Sequence, residues 1–188
     1  MADNDNNETP MSNSIHSHLR TEVIATFVVN ALLNGAVAWV LLREQATLSL
    51  RGEGGIAADL VITALVLCLL LSWITIALQR RKVSSGQFPA VAADRFSVLR
   101  QIIRYLPDRP FGAALCIGLM ATLIYAAPTI ALLGLFGIEQ LSVSQYLIFK
   151  TLWTGLIAAL TCPLAVLFPL FKHQAAGTPA PLVSDAGA

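Results

Sequence analysis

Charge is what this chain has least of. Only 12% of its 188 residues are Asp, Glu, Lys or Arg, against roughly 25% in a soluble domain. With 56% hydrophobic residues and a mean hydropathy of +0.70, its apolar residues fall in runs too long for a buried core. Cysteine is scarce as well. Cys68, Cys116 and Cys162 lie singly in different apolar runs with no CxxC or CxxH spacing, which argues against a disulfide framework or a zinc site and for small buried hydrophobes. The chain has no Gly-rich phosphate loop after a strand, no HExxH, no GxSxG and no paired-carboxylate motif. The expectation is a protein that is not an enzyme, with no catalytic residue, no metal, no cofactor and no nucleic-acid partner. His16 and His18 stand on a polar stretch and read as solvated side chains.

The charge that is present is segregated. Gln79 to Pro110 carries Arg80, Arg81, Lys82, Arg95, Arg100, Arg104 and Arg109, seven of the twelve Lys and Arg, against Asp94 and Asp108 alone. A short loop this basic between hydrophobic spans resists translocation and sets orientation. It is therefore expected in the cytoplasm.

The rest of the chain takes its direction from that loop. Residues 1–20 are rich in Asn, Asp and Ser and read as a disordered cytoplasmic tail; Met11 is an alternative start to Met1. Residues 21–172 read as one membrane domain. Its spans are about 23–42, 56–78, 111–136 and 146–171, each long enough for roughly 30 Å of hydrocarbon. A cleavable signal peptide is the rival reading of the first span, with Ala36-Val37-Ala38 as its site. Glu22 in the flank, Asn30 and Asn34 in the run, and its continuation through Trp39 to Leu42 oppose that. Residues 173–188 read as a flexible cytoplasmic tail. Nine of the twelve cations fall inside (Arg20, the seven of the loop, and Lys172), Arg43 and Arg51 fall outside, and Lys150 lies within a span. The fold expected is an all-α integral membrane protein: a four-transmembrane-helix bundle with both termini cytoplasmic, in the plasma membrane (a bacterial inner membrane).

Within the basic loop, Asp94 reads as the N-cap of a short amphipathic helix ending before Pro107. Phe96, Leu99 and Ile103 share one face, with Arg95, Arg100 and Arg104 mostly around the other. That pattern predicts a helix held at the membrane surface by apolar burial and anionic lipid headgroups.

Helical spacing then brings out a polar stripe. Asn30 and Asn34, Asp59 and Thr63, and Lys150 and Thr154 are i,i+4 pairs, each on one helix face; Tyr125 stands with Thr122 and Thr129 on the third span. At about 1.5 Å per residue, Asp59 and Lys150 lie at similar depth below the outer boundary. A lone charge within a span is costly, so these two are expected to meet. Small residues at Ala31 and Gly35, Gly118 and Thr122, and Gly155 and Ala159 predict close helix approach. Pro128 frees the carbonyl of Ile124, and Pro163 that of Ala159.

Two functional readings follow. In the first, the chain is permease-like or channel-like, and Asn30, Asn34, Asp59, Thr63, Tyr125, Lys150 and Thr154 line an outer cavity for a small polar solute or ion. Four short helices enclose little volume, so this implies a homo-oligomer or a partner membrane subunit. In the second, the chain is a non-transporting accessory, assembly or structural protein, and the same residues are helix-packing contacts.

Overall fold

The computed structural model describes residues 10–52, 54–85 and 96–175. Asp94 and Arg95 lie outside the described residues. The described residues form six α-helices and one small ribbon: α1 (Pro10–Leu42), β1 (Thr47–Ser49), α2 (Ile56–Ser84), α3 (Ser97–Tyr105), α4 (Pro110–Ala121), a π-helical turn (Thr122–Ala126), α5 (Ala127–Leu135), β2 (Gln140–Ser142) and α6 (Val143–Ala175). The molecule is mostly helical. It carries four stretches long and apolar enough to cross a membrane, Ser17–Leu42, Ile56–Ser84, Pro110–Leu135 and Val143–His173. The first helix begins at Pro10, so it continues back through residues read as tail. α2 likewise runs on through Arg80, Arg81 and Lys82 to Ser84.

The four stretches do not share burial equally. In α6, 72% of the most apolar window is buried, against 28% or less in the others. It is the common partner: α1, α2 and α3 all pack on it, and α4 packs mainly on α2. Backbones approach closely where side chains vanish. A Cβ on Gly35 would fall 2.5 Å from Thr151 Oγ1, one on Gly155 2.9 Å from the Phe27 ring, and one on Gly118 3.0 Å from the Leu65 carbonyl oxygen. The small residues thus seat α1 on α6 and α4 on α2, as their spacing predicts.

The third stretch bends its hydrogen-bonding pattern ahead of Pro128. Proline has no N–H, and its ring crowds the carbonyl four residues back. The π-helical turn Thr122–Ala126 widens the helix at that point. Thr129 Oγ1 then donates to the Tyr125 carbonyl at 2.6 Å and accepts from Trp153 Nε1 at 3.1 Å, which ties α5 to α6.

The loops after α1 and α5 pair as an antiparallel ribbon. Thr47 stands opposite Ser142, Leu48 opposite Leu141 and Ser49 opposite Gln140. Leu50 N–H extends the pairing to the Glu139 carbonyl at 2.7 Å. Leu48 and Leu50 turn inward and bury with Ile56, Leu60 and Tyr146. The ribbon therefore caps that end of the helices with an apolar plug.

Candidate functional site

Two polar assemblies stand at opposite ends of α6. The first is built on the opening turn of α2. Asp59 there faces Tyr146 and Lys150, which are one turn apart on α6 and so share a face. Lys150 Nζ lies 2.7 Å from Asp59 Oδ1 and 2.5 Å from Oδ2, and the Tyr146 hydroxyl donates to the same carboxylate. The ammonium also lies 5.9 Å from the centroid of the Tyr146 ring. The lysine side chain is 8% exposed and the aspartate 36%, so the cation is enclosed while its counterion is partly exposed. Beside them is a cavity of about 60 Å³ walled by Ala38, Leu41, Leu42 and Leu48. That volume holds a few water molecules.

The remaining members of the expected stripe are held in separate local contacts. The Asn30 amide donates to the Thr26 carbonyl at 2.8 Å, and the Asn34 amide to the Asn30 carbonyl at 2.9 Å. Thr154, fully buried, donates to the Lys150 carbonyl at 2.8 Å. Tyr125 reaches Thr161, whose hydroxyl also lies 3.6 Å from Cys68 Sγ and donates to the Ile157 carbonyl at 2.7 Å. Thr63 is half-buried. Of the seven residues, the structure joins the side chains of Asp59 and Lys150, while Asn30, Asn34 and Thr154 bond to backbone carbonyls of their own helices and Tyr125 reaches Thr161. Tyr146 was missed by the sequence reading, although its i,i+4 relation to Lys150 marks it as a member of that face.

Between the two ends one face of α6 is fully buried. Ile157, Ala158, Cys162, Ala165, Val166, Leu167 and Phe168 are each 2% exposed or less. Ile76 and Ile117 close on the same layer from α2 and α4.

The second assembly surrounds a cavity of about 1250 Å³ between the ends of α2 and α6 and the helix α3. Arg80 Nη2 donates to the Asp108 carbonyl at 2.5 Å. Lys172 Nζ donates to the Leu106 carbonyl at 2.7 Å and pairs with Asp108 Oδ1 at 2.8 Å. The Lys172 hydrogen bond and charge hold the Asp108 carboxyl below its ordinary value, opposed by desolvation and helped least by the charge of Arg80. Arg81, Arg100 and Arg104 line the same space, and none is ion-paired with another described residue. His173 Nε2 also lines it, buried and without a hydrogen-bond partner among the described residues.

The short helix predicted in the basic loop is present as α3, with a different partner for its apolar face. Ile103 is 1% exposed and sits in a cluster with Leu106, Phe168 and Phe171, with Phe96 and Leu99 packed against it. Ile103 therefore meets protein, where the spacing had turned it to the membrane. The reason is that α6 extends far enough to offer α3 an apolar surface of its own. Val98 and Tyr105, 70% and 81% exposed, are the apolar side chains that α3 leaves uncovered.

Among the described residues no group of three or more His, Cys, Asp or Glu converges as a metal site. No protein-family model, curated protein or solved structure matches the chain.

Proposed function

We propose that this is a non-transporting multi-pass membrane protein, an accessory or assembly subunit whose polar stripe holds its helices together. The observation that carries the reading is the buried face of α6 from Ile157 to Phe168, which lies between the Asp59 end and the basic end. The stripe residues support it, since most are already bonded to their own helix or to one another. A permease-like role has one observation in its favour, the cavity of about 60 Å³ beside an ion pair that is partly open to the outside.

The chain's own thiols separate the two readings. Cys68 and Cys162 are both fully buried within the closed part of the molecule. In proteoliposomes carrying Cys116→Ser, a small cationic methanethiosulfonate should leave both unmodified until denaturant is added. Rapid modification of either in the native protein would establish a water-accessible path and return the permease reading.

We also place the basic end, and with it both termini, on the cytoplasmic side of a plasma membrane, from the nine-to-two distribution of Lys and Arg. Ser85 and Ser144 are exposed at opposite ends. A membrane-impermeant thiol probe on intact cells should label Ser144→Cys and spare Ser85→Cys; the reverse would invert the topology.

A further inference from the structure

The basic cavity gathers more positive charge than the described residues neutralise. Arg80, Arg81, Arg100, Arg104 and Lys172 face it from three elements, and Asp108 is the sole carboxylate in its lining among the described residues. That carboxylate is engaged with Lys172. Arg80 and Lys172 are fixed by backbone carbonyls of the turn Leu106–Asp108, so part of the cationic wall is pre-arranged. Arg81, Arg100 and Arg104 have no counter-charge among the described residues. Like charges converging on one space repel unless an anion lies between them.

We infer that this cavity binds a phosphate-bearing anion, with Arg81, Arg100 and Arg104 as its principal contacts. Several guanidinium forks around one space suit the tetrahedral oxygens of phosphate, which accept paired N–H bonds from more than one side. A single carboxylate would satisfy one fork and leave the others bare. The volume also has a meaning. Small-molecule sites run to about 300–1,000 Å³, so about 1250 Å³ has room for a phosphate with a sizeable substituent. The cavity opens where the apolar stretches of α2 and α6 end, with the exposed Tyr105 on its wall. A lipid phosphodiester and a soluble phosphate ester share this chemistry. The inference is independent of whether the outer end transports anything.

The experiment uses the full chain purified in a neutral detergent. Calorimetric titrations are run with inorganic phosphate, with a soluble phosphate monoester such as glycerol 3-phosphate, and with phosphatidylglycerol and phosphatidylcholine of equal chain length. Phosphatidylglycerol binding at least tenfold tighter than phosphatidylcholine, with weak free phosphate, assigns the site to an anionic lipid headgroup. Inorganic phosphate or glycerol 3-phosphate binding tightly, with no gain from acyl chains, assigns it to a soluble phosphate. In either case Arg81→Gln, Arg100→Gln and Arg104→Gln should each weaken binding about tenfold, the loss of one charge-assisted contact. The triple variant should abolish binding without moving the unfolding temperature, because all three side chains are exposed. Equal affinity for the two lipids with no phosphate binding, or binding unchanged in the triple variant, would overturn the assignment.

Discussion

Removing either charge of the Asp59–Lys150 pair should destabilise the protein, and the two removals should not cost the same. Asp59→Asn leaves an ammonium that is 8% exposed, whereas Lys150→Met leaves a carboxylate that is 36% exposed and still bonded to the Tyr146 hydroxyl. Stranding one partner of a buried pair costs about 3–5 kcal/mol, and exposed pairs contribute about 0–1 kcal/mol. The enclosed lysine belongs near the lower part of the first range, about 3 kcal/mol, eased by the few waters its cavity admits. The partly open, still bonded aspartate belongs between the ranges, at about 1–2 kcal/mol. At this chain length each kcal/mol moves Tm by about 2–4 °C, so the difference is readable in thermal unfolding of the detergent-solubilised protein. The exchange Asp59→Lys with Lys150→Asp should recover part of the loss. Lys150→Met proving the more harmful, or the exchange proving no better than the worse single variant, would refute the reasoning.

Gly155→Leu should destabilise by about 1–3 kcal/mol, since its Cβ alone would stand 2.9 Å from the Phe27 ring; thermal unfolding reads it, and neutrality would show that α1 can move off α6. Trp153→Phe should cost about 1 kcal/mol through the lost bond to Thr129, and a double-mutant cycle with Thr129→Val should be non-additive. The Asp108 carboxyl is held below its ordinary value of 3.8, chiefly by Lys172. Its contribution is therefore full above the ordinary aspartate range and is lost as pH falls through the depressed value. Asp108→Asn should remove that part of the acid-side decline in unfolding profiles recorded from pH 6 downward, and an unchanged profile would contradict the pairing.

The Asp59–Lys150 pair was legible because physics left its members few alternatives: each is a single charge within an apolar span, at matching depth, with a hydroxyl one turn away. Tyr146 was harder to read, because an aromatic near a span end is also the ordinary occupant of a membrane interface. Which helix lies at the centre was not legible at all. In lipid the surroundings are as apolar as the protein interior, so a buried span and an exposed one carry the same composition; α6 is no more hydrophobic than α2, yet far more buried. The ribbon escaped notice because three-residue strands are too short to show alternation. The basic cavity escaped for a different reason. Its cations were counted one by one as an orientation signal, but their convergence depends on the distance in space between α2, α3 and α6. Pro128 announced a disturbance in the third span without saying that it takes the form of a π-helical turn.

The placement of α6 has a consequence for how the protein is made. α1 and α2 depend for their packing on the last of the four apolar stretches, and Asp59 waits for a lysine 91 residues further on. At about 5–20 residues per second of synthesis, the carboxylate is without its cation for roughly 5–18 s. Through that interval the Gly35 notch on α1 lacks Thr151, and Asp59 on α2 lacks its lysine. The arrival of Tyr146 and Lys150 supplies both missing contacts to that carboxylate at once.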